Sequence, residues 1–495
     1  MNPVNKADGF ITRDDLPEGL AALVTEESIA AANLPVFATA RQGYGSDARF
    51  VAQIDYQLEF RSKVDFMSSE YEHIAQLMSE RPENMGSEQM GLYMAEAEVA
   101  EMKRRDALGD SMPSVVTAVT GIRVEDSPEG ILPDYGPIFG GIWQDQLDGG
   151  RIVLAVVDAT SLDIKSLEDL VDGSANLKIV EQPFTYNEIE NYRLQLDSEL
   201  QALGIARDIA AVRSDRGRLL EVRVADPVSL PESFGVSVPR SAFDVVIGEP
   251  IQEAGYPNTT HSLADQQPGL RIAMRTSSSF VGYCTWGFNG HTSTFNYMVY
   301  AGHCNPGTYK NSSGYVGSNV KIWQNNSSSR VLTPSNPFLH SVDNSTYDGA
   351  RMQSGYANDN CYHGDTGASS PSPHCGWPMS ARAIHNSWEV GSDRTCASLG
   401  NSGVYKCGYI VELNAPPNRV RVDMSVVAGD SGSGFKWDYR IDGILTDRST
   451  TQAFFQTAYH VQVALGNGYF YFNCASGKKT YSDPSNWGVC PAVDA

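Results

Sequence analysis

Cysteine is confined to the second half of this 495-residue chain. An even set of eight is typical of an exported body held together by disulfide bonds, because reducing compartments seldom hold so many free thiols. The second half is therefore predicted to be secreted and extracellular, and the first half to be a different kind of unit. The eight cysteines are Cys284, Cys304, Cys361, Cys375, Cys396, Cys407, Cys474 and Cys490.

Charge divides the chain at the same place. The formal net charge is −22, yet residues from 269 onward carry 16 Lys and Arg against 14 Asp and Glu, whereas the preceding residues carry 21 against 45. The sequence has no basic cluster of the kind that binds nucleic acid. It also has no apolar run of about 18 residues, which a membrane span would need. Behind Met1 no apolar leader core is visible, so we expect that a leader has been removed or, less simply, that export uses another route.

The first part of the chain has a helical composition. Residues 1 to about 50 are predicted to be weakly structured and acidic. Val51 to Leu108 are predicted to hold one or two helices, interrupted at Pro82. Further on, Asp148-Gly149-Gly150 indicates a hairpin within residues 141–157.

The remaining patterns divide the chain into a mixed module, a linker and a β-rich body. Apolar residues recur at three- and four-residue steps from Tyr186 to Gly204 and predict an amphipathic helix, and a second hairpin follows at Ser214-Asp215-Arg216-Gly217. Together these elements predict a small α+β module over residues 120–248. Residues 249–268 are loose and polar, as in an exposed linker. From Gly269 onward, short alternating runs between Gly, Asn and Ser turns predict an antiparallel barrel or sandwich.

The stretch Val427–Gly434 contains Gly-Asp-Ser-Gly and is typical of a nucleophile loop. A serine hydroxyl is a poor nucleophile unless it lies on a tight turn with a base in reach and backbone N–H groups near the developing oxyanion. Gly429 and Gly432 permit such a turn around Ser431. Taken alone, the same residues are equally those of an ordinary surface turn.

Two further stretches supply a base and an acid. Val299–Cys304 is an apolar, strand-like run that contains His303, and Ser345–Arg351 offers Asp348. Histidine is the simplest general base near neutral pH, and it needs a buried acid that holds its tautomer and stabilises the imidazolium. The sequence therefore predicts that these residues act with Ser431. The rival carboxylates are Asp343, Asp359 and Asp365.

Ala-Gly-His-Cys, Asp-x-Ala and Gly-Asp-Ser-Gly, in that order, resemble the chymotrypsin-like serine proteases. Within that family the likeness is to the bacterial secreted branch of streptogrisins and alpha-lytic protease, which are made with a long pro-region. The resemblance spans roughly Gly269 to Gly466. It implies an all-β, antiparallel double barrel for the C-terminal half and an α+β pro-region for the N-terminal half.

The resemblance implies a role for each site residue. Ser431 would attack the peptide carbonyl, His303 would accept and return the proton, and Asp348 would orient His303. The backbone N–H groups of Gly429 and Ser431 would form the oxyanion hole. This chemistry needs neither a cofactor nor a metal.

The resemblance also implies where a substrate would bind. Val426 and Val427 of the implied pocket favour an apolar substrate side chain. Arg448 stands where the family usually has glycine, and it would either narrow the pocket or bind an acidic residue of the substrate. Leu445 differs from the histidine of glutamate-specific members, so specificity stays open. The implied substrate-binding residues form a pocket wall and a strand that pairs with an extended peptide: Ser425, Val426 and Val427, and Thr446, Asp447 and Arg448.

Two positions depart from the family pattern. The carboxylate matching Asp430 is usually buried against an arginine beside the cysteine matching Cys396. Here Ala397 follows that cysteine, so Arg394 is the remaining candidate partner. Ser433 stands where the family more commonly has glycine.

The resemblance pairs the cysteines only in part. It implies that Cys284 bonds Cys304 and Cys396 bonds Cys407, and leaves Cys361 with Cys375 and Cys474 with Cys490 to close short loops. The family's third bridge has no counterpart, since Val427 occupies that position. A zinc site is the alternative for one loop, with Cys361, His363, His374 and Cys375 as ligands. The aromatic tail after Gly466 is either a binding patch or, as we expect, an extra hairpin packed on the barrel.

These features predict a secreted serine endopeptidase made as a zymogen, with protein or peptide substrates. Its own pro-region would act as an intramolecular inhibitor or folding aid, and processing is expected near Gly269. The alternatives are a catalytically inactive binding protein on the same fold and an enzyme that acts on esters. The predicted divisions are residues 1–119, an acidic helical pro-segment; 120–248, the α+β pro-region module; 249–268, the linker and processing region; 269–466, the protease domain; and 467–495, a disulfide-bonded extension.

Overall fold

The structure is a computed structural model of the 495-residue chain. It describes residues 9–44, 46–80, 92–123, 133–205, 208–214, 217–224, 226–227, 230–231, 233–248, 252–253, 271–275, 280–304, 315–316, 321–324, 339–343, 347–353, 361–362, 377–378, 381–383, 389–402, 404–415, 419–437, 440–466, 471–474, 488–489 and 492–493.

The described part of residues 9–50 is largely helical, so the prediction that residues 1 to about 50 are weakly structured is wrong for that part. Thr25 caps one of the early helices by accepting a hydrogen bond from the backbone N–H of Ser28. The short helices bury Ile29, Phe37 and Phe50 in one core, which compensates for their length. The α-helices are Glu18–Leu23, Glu26–Ala32, Ala38–Gln42, Asp47–Arg61, Tyr71–Glu80, Glu96–Gly109 and Met112–Thr120.

The mixed module contains the predicted hairpins and the predicted helix, Tyr186–Ala202. Each hairpin also gains a third strand that pairs in parallel. A parallel strand is reached through a crossover and carries no local turn signal, so the sequence pattern did not predict it. The two sheets run Phe139–Asp145, Arg151–Val156 and Leu177–Glu181, and Asp208–Ser214, Gly217–Val224 and Phe243–Ile247, with the helix Ile164–Leu170 in the first crossover.

A six-stranded antiparallel barrel closes in the C-terminal half. Its interior is filled by alternate apolar side chains, including Ile410, Val420, Phe435 and Phe455, as expected for strands with one buried face. The helix Ala458–Gly466 follows. In order around the barrel, the strands are Gly434–Trp437, Arg394–Leu399, Val404–Ala415, Arg419–Val422, Ala453–Thr457 and Arg440–Arg448.

The other strands of the C-terminal half form a seven-stranded and a three-stranded sheet. The predicted extra hairpin is present, since Tyr471–Cys474 pairs with both Gly488–Val489 and Phe288–His291, and Phe472 is buried. In order, the sheets are Tyr315–Val316, Leu339–Asp343, Asp348–Gln353, Asn296–Tyr300, Phe288–His291, Tyr471–Cys474 and Gly488–Val489, and Lys321–Gln324, Arg271–Arg275 and Phe280–Thr285. Short strands also lie at Gln252–Glu253, Cys361–Tyr362, Trp377–Pro378, Ala381–Ala383 and Ala492–Val493.

The predicted fold class is confirmed, with helices and small sheets in the N-terminal half and antiparallel β-structure in the C-terminal half. The structure contains both disulfides that the resemblance implied, Cys284–Cys304 and Cys396–Cys407. The remaining two pairings and the alternative zinc site lie outside the described residues, because each needs Cys375 or Cys490.

The helix Asp47–Arg61 packs directly on the C-terminal barrel. Lys406 of the barrel is 1% exposed and lies 3.2 Å from an oxygen of Asp55 and 2.6 Å from an oxygen of Glu59. Burial alone would raise the pKa of Glu59, but Lys406 and other groups outweigh burial and lower this pKa to about 2. The two halves therefore share a buried ion cluster.

Candidate active site

His303, Asp348 and Ser431 meet between the barrel and the seven-stranded sheet. The distance from Nδ1 of His303 to Oδ2 of Asp348 is 2.7 Å, and that from Nε2 of His303 to Oγ of Ser431 is 2.9 Å. His303 lies on the helical turn Gly302–Cys304, and Asp348 begins a strand of the sheet. The rival carboxylate Asp343 lies on the neighbouring strand, whereas Asp359 and Asp365 lie outside the described residues.

The backbone fixes the histidine against the aspartate. The N–H of His303 donates to Oδ1 of Asp348 at 2.9 Å, so the carboxylate contacts both the main chain and the ring of one residue. Gly302 makes this approach possible, because a Cβ there would lie 2.0 Å from the carbonyl oxygen of Val342. The side-chain oxygen of Gln456 also accepts from the N–H of Asp348 at 2.8 Å. The ring is thereby held in one orientation.

Asp348 is charged although it is buried. Burial would raise its pKa, but the charge and hydrogen bonds of His303, together with the charge of Arg419, more than offset burial and hold the pKa below its usual range. Nη2 of Arg419 lies 3.9 Å from Oδ2 of Asp348. An ionised carboxylate at this place stabilises a proton on His303.

Arg419 is a site residue that the sequence analysis missed. Its Nε donates to Oγ1 of Thr446 at 2.7 Å and pairs with the carboxylate of Asp447. It lies in the strand Arg419–Val422, where all four side chains are buried. The one signal in the sequence is an arginine that alternates with valine in a strand-like run. An arginine in such a pattern usually faces solvent.

The nucleophile loop depends on two glycines with positive φ, 91° at Gly429 and 88° at Gly432. A Cβ at Gly432 would lie 2.3 Å from the carbonyl oxygen of Thr285. The loop is held from both sides, because Thr285 N–H donates to the carbonyl of Ser431 and Gly432 N–H donates to the carbonyl of Leu445, each at 2.7 Å. Ser431 is thereby fixed at a turn that only glycine neighbours allow.

Asp430 is buried among hydrogen-bond donors, and no cationic side chain in the described part of the chain forms an ion pair with it. Its carboxylate accepts from the N–H groups of Asn401, Ser402 and Val427 and from the hydroxyl of Ser402. Burial raises the pKa of Asp430, and these donors oppose that rise. Arg394 pairs with Asp106 at 2.7 Å instead, so the suggestion that it replaces the family's arginine is wrong.

The residues expected to bind substrate lie on both sides of the loop. Ser425 donates its N–H and its hydroxyl to the carboxylate of Glu59, and Val426 packs in the barrel core. Val427 and Thr446 are buried. Asp447 and Arg448 form antiparallel pairs with Glu253 and Gln252, respectively. Ser431 is 0% and His303 6% exposed, so solvent scarcely reaches either group while the N-terminal half is attached.

Solved structures that resemble this chain cover about two fifths of it. Nocardiopsis protease matches with 17% identity and a TM-score of 0.29, over 42% of this chain and 99% of its own. A glutamic acid specific serine protease matches with 20% identity and a TM-score of 0.28, over 41% and 98%. Thermobifida fusca protease A matches with 16% identity and a TM-score of 0.27, over 42% and 97%. These neighbours are bacterial chymotrypsin-like serine proteases.

No family model and no curated protein matches the chain. Within the described part of the chain, no cluster of three or more His, Cys, Asp or Glu side chains is suited to a metal ion. No described helix has both the length and the apolarity that crossing a bilayer requires.

Proposed function

We propose that this protein is a serine endopeptidase that hydrolyses peptide bonds through His303, Asp348 and Ser431. The observation that carries the proposal is the continuous hydrogen-bonded line from the carboxylate through both ring nitrogens to the hydroxyl, at 2.7 Å and 2.9 Å. These are the contacts of a nucleophile, a base and an orienting acid.

The reaction follows from that line. Ser431 Oγ attacks the carbonyl carbon of the scissile bond while His303 Nε2 takes its proton, and the same proton passes to the leaving amine as the bond breaks. Water then attacks the acyl-enzyme by the reverse exchange and releases the acid. The backbone N–H groups of Gly429 and Ser431 would bind the developing oxyanion, to which one such donor typically contributes about 3 kcal/mol.

Substrate would bind as an extended strand along Thr446, Asp447 and Arg448. Gln252–Glu253 already pairs with Asp447 and Arg448, which supports the use of this strand as a peptide-binding edge. An edge of this kind holds the main chain of a peptide, so it favours endopeptidase activity over hydrolysis of small esters.

The N-terminal half would be a pro-region that keeps the enzyme inactive until it is removed. With the N-terminal half attached, His303 lies within hydrogen-bond distance of both Asp348 and Ser431, and Ser431 is fully buried. These contacts support inhibition by covering Ser431 rather than by distorting the arrangement of the three residues. Two disulfides support export from the cytosol.

A fluorophosphonate probe tests the activity directly. Processed protein and its Ser431→Ala variant are treated with the probe, and the intact masses are compared. The wild type should gain the mass of one adduct and the variant none, and the wild type should cleave peptides from a library. If the processed wild type is not labelled, the protein is not a serine hydrolase and the inactive binding protein becomes the better description.

A further inference from the structure

Lys406 is a buried lysine of the barrel whose two carboxylate partners both come from the N-terminal half. It is 1% exposed, and its Nζ lies 2.6 Å from Oε2 of Glu59 and 3.2 Å from Oδ2 of Asp55. Burial would lower the pKa of Lys406, but the charges of these two carboxylates outweigh burial and raise it. Within the described part of the C-terminal half, Nζ bonds only to the hydroxyl of Ser425, at 3.2 Å. The barrel therefore holds a charged lysine without supplying an anion for it.

Ser425 and Lys406 together form a cradle for one carboxylate group. The N–H of Ser425 donates to Oε1 of Glu59 at 2.8 Å, and its hydroxyl donates to Oε2 at 2.9 Å. Lys406 donates to the same Oε2. Both oxygens are thus bonded by the barrel, through one cation and two neutral donors. Hydrogen bonds of this charge-assisted kind are the stronger ones in proteins, and together they fix the position of the carboxylate.

The cradle lies in the segment that leads to the nucleophile. Met424 and Val426 pack in the barrel core, whereas the hydroxyl of Ser425 between them contacts the bound carboxylate. The N–H of Asp430 then donates to the carbonyl of Val427 at 3.2 Å and closes the turn immediately before the nucleophile. Ser425 precedes this turn by two residues, about 7 Å of extended chain. The side chain of a bound peptide can cover that distance.

The helix Asp47–Arg61 covers the cradle. Besides Glu59, it places the ring of Phe60 5.5 Å from the ring of Tyr409 in the barrel. The proposed function requires that the N-terminal half be removed, by processing that is expected near Gly269, outside the described residues. Removal would take away the carboxylates and leave the donors of the cradle open to a new anion.

We propose that Lys406 and Ser425 form a substrate subsite that selects an acidic side chain, and that Glu59 occupies this subsite in place of a substrate while the N-terminal half is attached. The inference rests on the proposed function and deepens it, because it names the substrate class. The preferred substrates are peptides with glutamate on the acyl side of the scissile bond. Their side chain ends in the same group that the cradle already holds.

Two chromogenic peptides that differ only in Glu or Gln before the scissile bond test the subsite. The processed wild type should have a kcat/KM at least about tenfold higher on the glutamate peptide near neutral pH, because only the carboxylate pairs with the lysine. Lys406→Met should remove most of this preference. Lys436→Met is the matched control, since this second buried barrel lysine lies 5.6 Å from the ring centre of Tyr405, and it should keep the preference.

The variants are designed so that the full chain folds before processing. Both lysine variants also carry Asp55→Asn and Glu59→Gln, so that no buried carboxylate is left without its cation. Ser425→Ala, which removes one donor but no charge, should lower the preference as well. The assignment of the subsite therefore does not depend on a lysine variant alone.

The results separate the subsite from the proposed function. Equal kcat/KM for the two peptides, from an enzyme whose Ser431 is labelled by a fluorophosphonate, overturns the subsite and leaves the endopeptidase in place. A glutamate preference that survives Lys406→Met and is lost in Arg448→Met assigns recognition to the arginine and also overturns the subsite. A processed enzyme that neither cleaves peptides nor is labelled overturns both proposals.

Discussion

At the scale of single residues, the site is held by contacts between side chains and backbone rather than by side chains alone. Asp348 contacts His303 through both oxygens, one to the ring and one to the main-chain N–H. Gly302 and Gly432 leave room where any Cβ would meet a carbonyl oxygen. The chemistry therefore depends on residues that never touch a substrate.

Asp348→Asn should lower kcat by roughly 10⁴, because an amide in that place favours the wrong tautomer of His303. The measurement is kcat on a chromogenic peptide, with the processed enzyme and its variant compared at one pH. The matched control is Asp343→Asn, on the neighbouring strand and exposed, which should change kcat by less than about twofold. A large loss in the control and none in Asp348→Asn would assign the acid to Asp343.

Arg419→Met should lower the free energy of unfolding by about 3 kcal/mol, because it leaves the buried Asp447 without its cation. Adding Asp447→Asn should restore most of that stability, since the second change removes the unpaired charge. Urea unfolding of both variants in the Ser431→Ala background gives the comparison. A double variant as unstable as Arg419→Met alone would show that the arginine stabilises through packing.

At the scale of elements, local sequence patterns correctly predicted the helices and hairpins whose formation depends on local interactions. The helix Tyr186–Ala202 and both hairpins of the mixed module follow from apolar spacing and turn residues. The early helices did not, because their stability comes from a shared core that no single segment encodes. Of the site, Ser431, His303 and Asp348 carried motifs, whereas Arg419 and the donors around Asp430 become neighbours only through the folded barrel.

Glu59→Gln should weaken the contact between the helix Asp47–Arg61 and the barrel by about 3 kcal/mol at pH 7, since the pKa of Glu59 falls from 4.5 to about 2 on folding. A lowered pKa stabilises the folded state fully above about pH 4.5, and that stabilisation is lost as the pH falls toward 2. Urea unfolding of the Ser431→Ala chain should thus show a wild-type advantage that shrinks across this range. Glu70→Gln, at an exposed position, is the control. An advantage that is independent of pH would contradict the ion cluster.

At the scale of the whole molecule, the C-terminal half brings distant segments together. Gly290 pairs with Phe472, and the nucleophile loop is bonded to Thr285 of the three-stranded sheet and to Leu445 of the barrel. Pairings of such long range make folding slow. The N-terminal half contacts the barrel at Lys406 and at the Arg419–Val422 strand, where Arg421 Nη2 donates to the carbonyl of Ile209. The N-terminal half thus stabilises a part of the C-terminal half that local interactions do not stabilise.

Residues 269–495 expressed alone should therefore refold poorly, with less than one tenth of the active-site labelling of the full chain after the same processing. Lys406 would lose both carboxylates that pair with it, and Tyr409, which packs against Phe60 of the N-terminal half, would lose that apolar contact and be exposed to water. Residues 1–253 added in trans during refolding should restore the labelling. The same segment with Asp55→Asn and Glu59→Gln should restore less. This comparison distinguishes the effect of the ion cluster from a nonspecific effect of the added protein. Full activity from residues 269–495 alone would show that the N-terminal half covers the cleft but does not assist folding.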